Sequence, residues 1–156
     1  MSEDATGDDG WIRLLDELAA MAEDLASDGW ETLAIPAGDA APVTAEAGRT
    51  DDHGFAYVIP GDDAETFDAW FTPDGFERTE VHRAVDDRHL YLLTTFLDES
   101  SARAILIAAV FDRSSLGACR REAFDAGVTY SHVFRIDGTH LGSFRHDDPA
   151  PFFPDP

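Results

Sequence analysis

The chain has 156 residues, 32 acidic side chains against 11 basic ones that are all Arg, and a formal net charge of -21. This balance argues against binding to nucleic acid or anionic lipid, because phosphate binding depends on clustered Lys and Arg. It predicts instead a protein adapted to concentrated salt, since at about 1 M ionic strength the Debye length is roughly 3 Å and charge repulsion is screened.

The distribution of apolar and sulfur-containing residues points to a cytoplasmic location. Cys119 is the only cysteine, which excludes an internal disulfide bond and a zinc site built from several cysteines. The segment 1–10 is acidic and polar, whereas a secretory signal is basic and then apolar. The longest apolar run, 104–111, is far shorter than the roughly 20 residues that cross a bilayer. We therefore expect a soluble cytoplasmic protein with no membrane partner.

The first predicted element is an amphipathic helix. Apolar residues between Trp11 and Leu25 recur at steps of three and four positions, with charged residues on the opposite side. Asp8 or Asp9 is suited to cap its start, and Gly29 is suited to follow its end. The acidic segment before the helix is expected to be disordered.

The next part of the chain combines short strands, a long loop and a short helix. Strands are predicted at 30–36 and 55–59, where β-branched and aromatic residues are enriched. The intervening segment 37–53 is rich in Gly, Ala, Pro and Asp, and we expect a surface loop that acts as a functional lid. Asp62 and Glu65 resemble a capping box that begins the helix.

Three consecutive strands are predicted in the middle of the chain. The first two, 76–85 and 88–97, are joined by a two-residue turn at Asp86-Asp87. The third, 102–111, is apolar on both alternations, which is typical of a strand covered on both faces. This region therefore predicts the centre of a sheet.

A helix and a hairpin complete the predicted elements. The helix covers 112–126, and the hairpin joins strands 128–136 and 139–145 through a two-residue Asp137-Gly138 turn, whose glycine takes a positive φ at little cost. The crossover from the third strand through this helix is suited to a parallel strand pair.

Together these elements predict one α+β domain over 11–148, with a predominantly antiparallel sheet of five to seven strands and about three helices packed on it. The segment 149–156 is proline-rich and is expected to be an extended tail.

Parts of the sequence resemble a known group of proteins. The segments 138–149 and 152–154 are similar to the ending of an uncharacterised protein family of halophilic archaea, and 29–33 and 57–61 fit the same family. The resemblance covers most of the chain from Trp11 onward. It implies a salt-rich habitat and a cytosolic location, and it implies no activity, cofactor or site residues.

Histidines near the terminal hairpin raise the question of a metal site. With a two-residue turn, His140 lies opposite Arg135 and His146 opposite Thr129 on one face, while His132 points to the other side. Six residues along a strand span roughly 20 Å, which is too far for one ion. We therefore expect no metal and no cofactor, with His140 and His146 as the candidates if a metal binds.

Candidates for catalysis are sparse. Glu80 lies between Thr79 and Val81 on a predicted strand, and these neighbours are suited to supply part of the apolar pocket that raises the pKa of a general acid. With His82 and His89 it forms the candidate catalytic set of a small hydrolase or transferase next to the 37–53 loop. No nucleotide-binding motif accompanies them.

The tail carries the candidate binding residues. Phe152 and Phe153 lie between two prolines, and they are suited either to dock on a partner or a second copy of the chain, or to cover the domain's own sheet. We therefore predict a non-catalytic binding or regulatory module that acts through protein contacts, with the small hydrolase or transferase as the alternative.

Overall fold

The computed structural model describes residues 4–154, with the side chains of the first helix described from Asp9 onward. This part of the chain forms three α-helices and eight strands, together with 3-10 turns at Arg113–Ser115 and Ala150–Phe152. In chain order the elements are α1 (Asp4–Ser27), β1 (Glu31–Pro36), β2 (Asp39–Val43), β3 (Gly54–Ile59), α2 (Gly61–Trp70), β4 (Arg78–Val85), β5 (His89–Asp98), β6 (Arg103–Asp112), α3 (Gly117–Ala126), β7 (Thr129–Arg135) and β8 (His140–His146). None of the described helices is both long and apolar enough to cross a bilayer.

The strands form two mixed sheets of four strands each. Sheet A has the order β1-β6-β5-β4, and sheet B has the order β2-β3-β7-β8. Each sheet contains one parallel pair, β1 with β6 and β3 with β7, and the other pairs are antiparallel. The α+β class is therefore confirmed, but the expectation of one predominantly antiparallel sheet of five to seven strands is wrong. The crossover through α3 joins the two sheets and makes no parallel pair between β6 and β7.

Two apolar clusters hold these layers together. The larger lies between the sheets and contains Phe55 and Tyr57 of sheet B, Phe96 and Phe111 of sheet A, and residues of α2 and α3. The smaller lies on the other face of sheet A, where α1 covers residues such as Leu93. Because β5 and β6 are buried on both faces, their nearly continuous apolar sequences follow directly from this layering. α1 begins at Asp4, so the residues from there to Gly10 are helical where disorder was expected.

The segment 37–53 contains a strand that the sequence did not predict. Residues Asp39–Val43 form β2, which pairs antiparallel with β3 at the edge of sheet B. Its alanines and Pro42 have little strand propensity, and proline is tolerated because the strand lies at an edge. The irregular part of the segment is thus 44–53.

The connection between β4 and β5 also differs from its prediction. Its turn is centred on Asp87-Arg88, because the amide of Asp86 donates to the carbonyl of His89 at 3.1 Å. The Asp86 carboxylate accepts hydrogen bonds from the amides of Arg88 and His89, both at 2.8 Å, and such a side-chain turn shifts the loop by one residue. The capping box at Asp62 is likewise absent, since α2 begins at Gly61 after Pro60 without a side-chain cap.

The terminal hairpin contains a β-bulge. Strand pairing passes from Val133 opposite Gly142 to Phe134 opposite His140, so Leu141 is an extra residue on β8. The turn has three residues instead of two, and Gly138 has a φ of +92° as expected. The turn has one residue more than predicted, and β8 has one extra residue at the bulge. The two changes cancel, so Thr129 pairs with His146 as the two-residue turn predicted.

The tail packs against its own domain. Residues Ala150–Phe152 form a 3-10 turn where an extended chain was expected, and Phe152 and Phe153 are 2% and 3% exposed. Arg83 of β4 donates hydrogen bonds to the carbonyls of Ala150, Pro151 and Phe153 at 3.1, 3.2 and 2.5 Å. The two phenyl rings thus belong to the core between the sheets.

Candidate functional site

A group of hydrogen-bonded polar side chains lies on the outer face of sheet B. His132 of β7 pairs across the hairpin with Ser143 of β8, while His140 lies opposite Phe134. The bulge at Leu141 turns His140 to the side of the hairpin that carries His132, which is a known effect of β-bulges. We call His132, His140 and Ser143 the histidine cluster.

The hydroxyl of Ser143 lies between the two imidazole rings. Its Oγ is 2.6 Å from Nδ1 of His132 and 2.7 Å from Nε2 of His140. The other nitrogen of His132, Nε2, is 3.1 Å from the carbonyl oxygen of His53. A carbonyl oxygen only accepts hydrogen bonds, so Nε2 of His132 carries a proton and its neutral ring has a free lone pair on Nδ1. Ser143 therefore donates to His132 and accepts from His140.

Thr50 supports this tautomer of His132. Its Oγ1 lies 3.3 Å from Nε2 of His132 and donates to the carbonyl of Asp52 at 3.1 Å. Because the threonine proton is used for Asp52, Oγ1 is an acceptor toward His132, as the carbonyl of His53 is. Two acceptors thus hold the proton on Nε2.

The rings of the cluster differ in exposure. His132 is 1% exposed, His140 is exposed, and Ser143 is half-buried between them. Burial lowers the pKa of His132, with a further lowering from the nearby His140, while the hydrogen bond to the His53 carbonyl acts in the opposite direction. His132 is therefore held as a neutral base, a form that accepts a proton from a hydroxyl group.

The irregular segment 44–53 covers His132. Glu122 of α3 accepts a hydrogen bond from the amide of Ala45 at 3.0 Å, which ties the start of this segment to a helix. At its end, Gly54 has a φ of +145°, and a Cβ there would overlap the backbone of Tyr130. Glycine at this position therefore allows β3 to approach β7 closely enough for the His53 carbonyl to reach His132.

A small cavity lies beneath this segment. It measures about 180 Å³ and is mostly apolar, with Val43, Ala56, Val58 and Phe134 among its walls. His132, Thr50 and Arg49 supply its polar groups, and the guanidinium of Arg49 lies 5.9 Å from the centre of the Phe134 ring. The covering segment thus forms one wall of a volume of the size that holds a small organic group, since a cavity of roughly 150 Å³ admits benzene.

Two of the predicted catalytic residues lie elsewhere. Glu80 is on the exposed face of β4, where it forms an ion pair with Arg78 at 2.9 Å, and its side chain is 45% exposed. His82 is exposed on the same strand. Neither residue lies in an apolar pocket, and the structure does not bring them to the 44–53 segment. The alternation of polar and apolar residues in β4 reflects one solvent-facing side of an edge strand.

His89, the third predicted residue, has a defined setting. Its Nδ1 lies 3.1 Å from Oδ1 of Asp86, and Oδ2 of the same carboxylate accepts a hydrogen bond from the hydroxyl of Tyr91 at 2.8 Å. Burial raises the pKa of Asp86, but the hydrogen bonds from Arg88, Tyr91 and His89 outweigh this and hold it well below its usual range. His89 also lines an open cavity of about 460 Å³, together with Ala40–Pro42 of β2 and Ser115.

The two histidines considered for a metal do not share a face. His140 is exposed in the histidine cluster, whereas His146 is 6% exposed inside the core, with Nε2 at 2.9 Å from the hydroxyl of Ser131. The expectation that they share a face is wrong because the bulge reverses the alternation of β8. Among residues 9–154, no three His, Cys, Asp or Glu side chains are close enough to share a metal ion.

Sequence reasoning missed the contact of His132 with Ser143. Under the predicted register the two residues were already opposite each other, so the pairing was available from the hairpin alone. The contact of His140 with Ser143 could not be predicted in the same way, because it depends on the bulge at Leu141. The cover from Thr50 and His53 depends on contacts with residues about 80 positions away in the chain.

Comparison with known proteins gives a family without an assigned role. No curated protein and no solved structure matches the chain. A family model described as a family of unknown function, DUF7529, matches residues 1–154. The chain therefore belongs to the DUF7529 family of unknown function.

Proposed function

We propose that the chain is a small hydrolase or transferase that works by acyl transfer at the histidine cluster. The observation that carries this proposal is the 2.6 Å contact between Ser143 Oγ and His132 Nδ1, with the opposite side of His132 oriented by the His53 carbonyl. A nucleophile, a base within hydrogen-bond reach and a third group that orients the base form the recurring arrangement of activated serines. Here a backbone carbonyl takes the place of the usual carboxylate.

The accessibility of the three groups supports this role. Ser143 is half-buried and its neighbour His140 is exposed, while His132 is covered by the 44–53 segment. A base shielded from water keeps its neutral form, and a hydroxyl open to solvent can meet a substrate. The proposal therefore places the reacting hydroxyl, and not the buried imidazole, at the surface.

Covalent labelling tests the proposal directly. The purified chain in molar KCl is incubated with a fluorophosphonate, which reacts with activated serine hydroxyls, and the labelled peptide is identified by mass spectrometry. We expect one phosphonyl group on Ser143, and none in the Ser143→Ala or His132→Gln variants.

Two other serines serve as controls for this labelling. Ser131 also contacts a histidine, but it is 0% exposed in the core, and Ser115 is exposed without a histidine bonded to it among the described residues. Neither serine is expected to react. The Ser115→Ala variant is expected to be labelled on Ser143 to the same extent as the unchanged chain. Absence of label on Ser143 in folded protein, or equal labelling of Ser115, would refute the acyl-transfer function.

A second candidate function is a non-catalytic binding module that acts through protein contacts. It is favoured by Ile136, which lies in the turn between β7 and β8 and is 77% exposed, the largest exposure among the described large apolar side chains. A second copy of the chain is the partner to test first. Sedimentation in molar KCl of the unchanged chain and of Ile136→Ser would show self-association that the substitution removes, and a monomer in both would rule out a second copy of the chain as the partner. Phe152 and Phe153 would take part only after leaving the core.

We also propose a cytoplasmic, salt-rich environment of the haloarchaeal kind for this protein. The support is the complete use of Arg over Lys and the formal charge of -21. Such a shell of carboxylates is tolerated where counterions are abundant. The salt dependence of folding described below tests this proposal.

A further inference from the structure

The two imidazoles that contact Ser143 have unlike surroundings. His132 is buried beneath the 44–53 segment and has a hydrogen-bond acceptor on its far side. His140 is exposed beside the hairpin turn, with Nε2 as the atom that faces Ser143. A group leaving toward solvent from a carbonyl attached to Ser143 would meet His140 and not His132.

Resting on the acyl transfer proposed above, we infer that the two histidines divide the acid and base work, with His132 as the base for Ser143 and His140 as the acid for the leaving group, and that the substrates are esters of ordinary aliphatic alcohols. Such alcohols are poor leaving groups as alkoxides, so a proton donor placed at the leaving oxygen speeds their departure. An acidic phenol leaves from its ester as the phenolate and does not need this proton donor.

The acylation step balances with His140 in its imidazolium form. The Ser143 proton passes to His132 Nδ1 while Oγ forms a bond to the carbonyl carbon of the ester. The bond between that carbon and the alcohol oxygen then breaks, and the oxygen takes the Nε2 proton of His140. The products are the acyl-serine, the free alcohol, a protonated His132 and a neutral His140.

Deacylation restores both histidines. Neutral His140 Nε2 removes a proton from water as the water oxygen bonds to the acyl carbon. The carbon bond to Ser143 Oγ then breaks, and His132 returns its proton to that oxygen. The net reaction is ester plus water giving acid plus alcohol, and no further reactant is consumed.

The electrostatics of the cluster favour this order of protonation. Burial and the neighbouring His140 both lower the pKa of His132, while the carboxylate of Asp52 on the covering segment partly offsets this. The surroundings of His132 therefore favour its neutral form, which is the form that a base for Ser143 needs.

The test compares two esters that share one acyl group, an ethyl ester and a 4-nitrophenyl ester. His140→Gln keeps an amide donor near Ser143 but has no proton to give. We expect this variant to lose at least about 100-fold in kcat/KM on the ethyl ester, which is the usual range for general acid catalysis, and less than about 10-fold on the nitrophenyl ester. His82→Gln, an exposed histidine on the other sheet, is expected to leave both rates unchanged.

The outcomes separate this inference from the proposed function. If Ser143 is phosphonylated but His140→Gln slows both esters equally, the acid role and the alcohol-ester class are wrong while the nucleophile stands. If Ser143 is neither phosphonylated nor needed for hydrolysis of either ester, both proposals fail. A fluorophosphonate label retained by the folded His140→Gln variant, together with selective loss of the ethyl ester, supports the division of work.

Discussion

The ring of Phe152 stacks on the ring of Phe55, with centroids 5.7 Å apart. The 3-10 turn at Ala150–Phe152 therefore packs against β3 in the core between the two sheets. Phe153 contacts the same Phe55 ring at 5.2 Å, and Arg83 holds the turn through three carbonyls. A segment that reads as a docking tail is thus part of the hydrophobic core. Removal of the last residues would open the space between the two sheets.

Phe152→Ala is expected to destabilise the fold by about 3–5 kcal/mol, which is the usual cost of deleting a buried phenyl ring. The ring is 2% exposed, so its loss leaves a cavity beside Phe55. Urea unfolding in molar KCl measures the change. Phe124→Ala is the matched control, because Phe124 is 43% exposed and should lose much less. Equal losses in the two variants would show that Phe152 does not belong to the core.

Stability is expected to fall as the pH drops from about 6.5 to 4 because of His146. Burial lowers the pKa of His146 to about 4. In this range the unfolded chain takes up a proton on His146 and the folded chain does not, so protonation favours unfolding. At roughly 1.4 kcal/mol per pH unit, the loss reaches about 3 kcal/mol near pH 4 and is absent above pH 6.5.

Variants isolate this contribution to the pH dependence. His146→Gln has no titrating ring and should reduce the slope of the unfolding free energy between pH 6.5 and 4, at a fixed cost in stability at every pH, while the buried His132 keeps a slope of the same sign. His82→Gln, on an exposed strand face, should keep the slope of the unchanged chain. A slope that is unchanged in His146→Gln would assign the acid sensitivity to other groups.

Asp86→Ala is expected to cost about 1.5–3 kcal/mol, the usual range for hydrogen bonds to a charged group. Its carboxylate accepts hydrogen bonds from the amides of Arg88 and His89, from the His89 ring and from Tyr91. The neighbouring Asp87→Ala removes an exposed carboxylate and should change stability by less than about 0.5 kcal/mol. Similar costs for both substitutions would contradict the role of Asp86 in the turn.

Salt is expected to raise the melting temperature of the chain. Counterions screen the repulsion of its 32 acidic side chains, and for a chain of this size each kcal/mol of relief raises Tm by roughly 2–4 °C. Calorimetry in millimolar buffer and in 2 M KCl, with sucrose as a neutral co-solute control, measures this effect. A Tm that does not differ between the two salt concentrations would remove the support for a salt-rich habitat.

Local sequence patterns predicted most elements of this fold. The period of α1, the apolar strands β5 and β6 and the glycine of the terminal turn were all recognisable, because each depends on residues that are neighbours in the chain. The edge strand β2 was missed, since its pairing with β3 is a tertiary contact that overrides weak strand propensity. The two-sheet layering was missed for the same reason.

The sequence by itself determined most of the helical and extended segments and the net negative charge of the chain, because periodicity and composition need no partner. The tertiary structure decided which strand pairs with which, where β8 bulges, and which backbone carbonyl meets His132. These depend on hydrogen bonds between segments far apart in the chain, such as His53 with His132, which form only when loops close and layers pack. The fold therefore decides which residues surround Ser143, because the sequence lists His53, His132 and His140 but does not show that they come together.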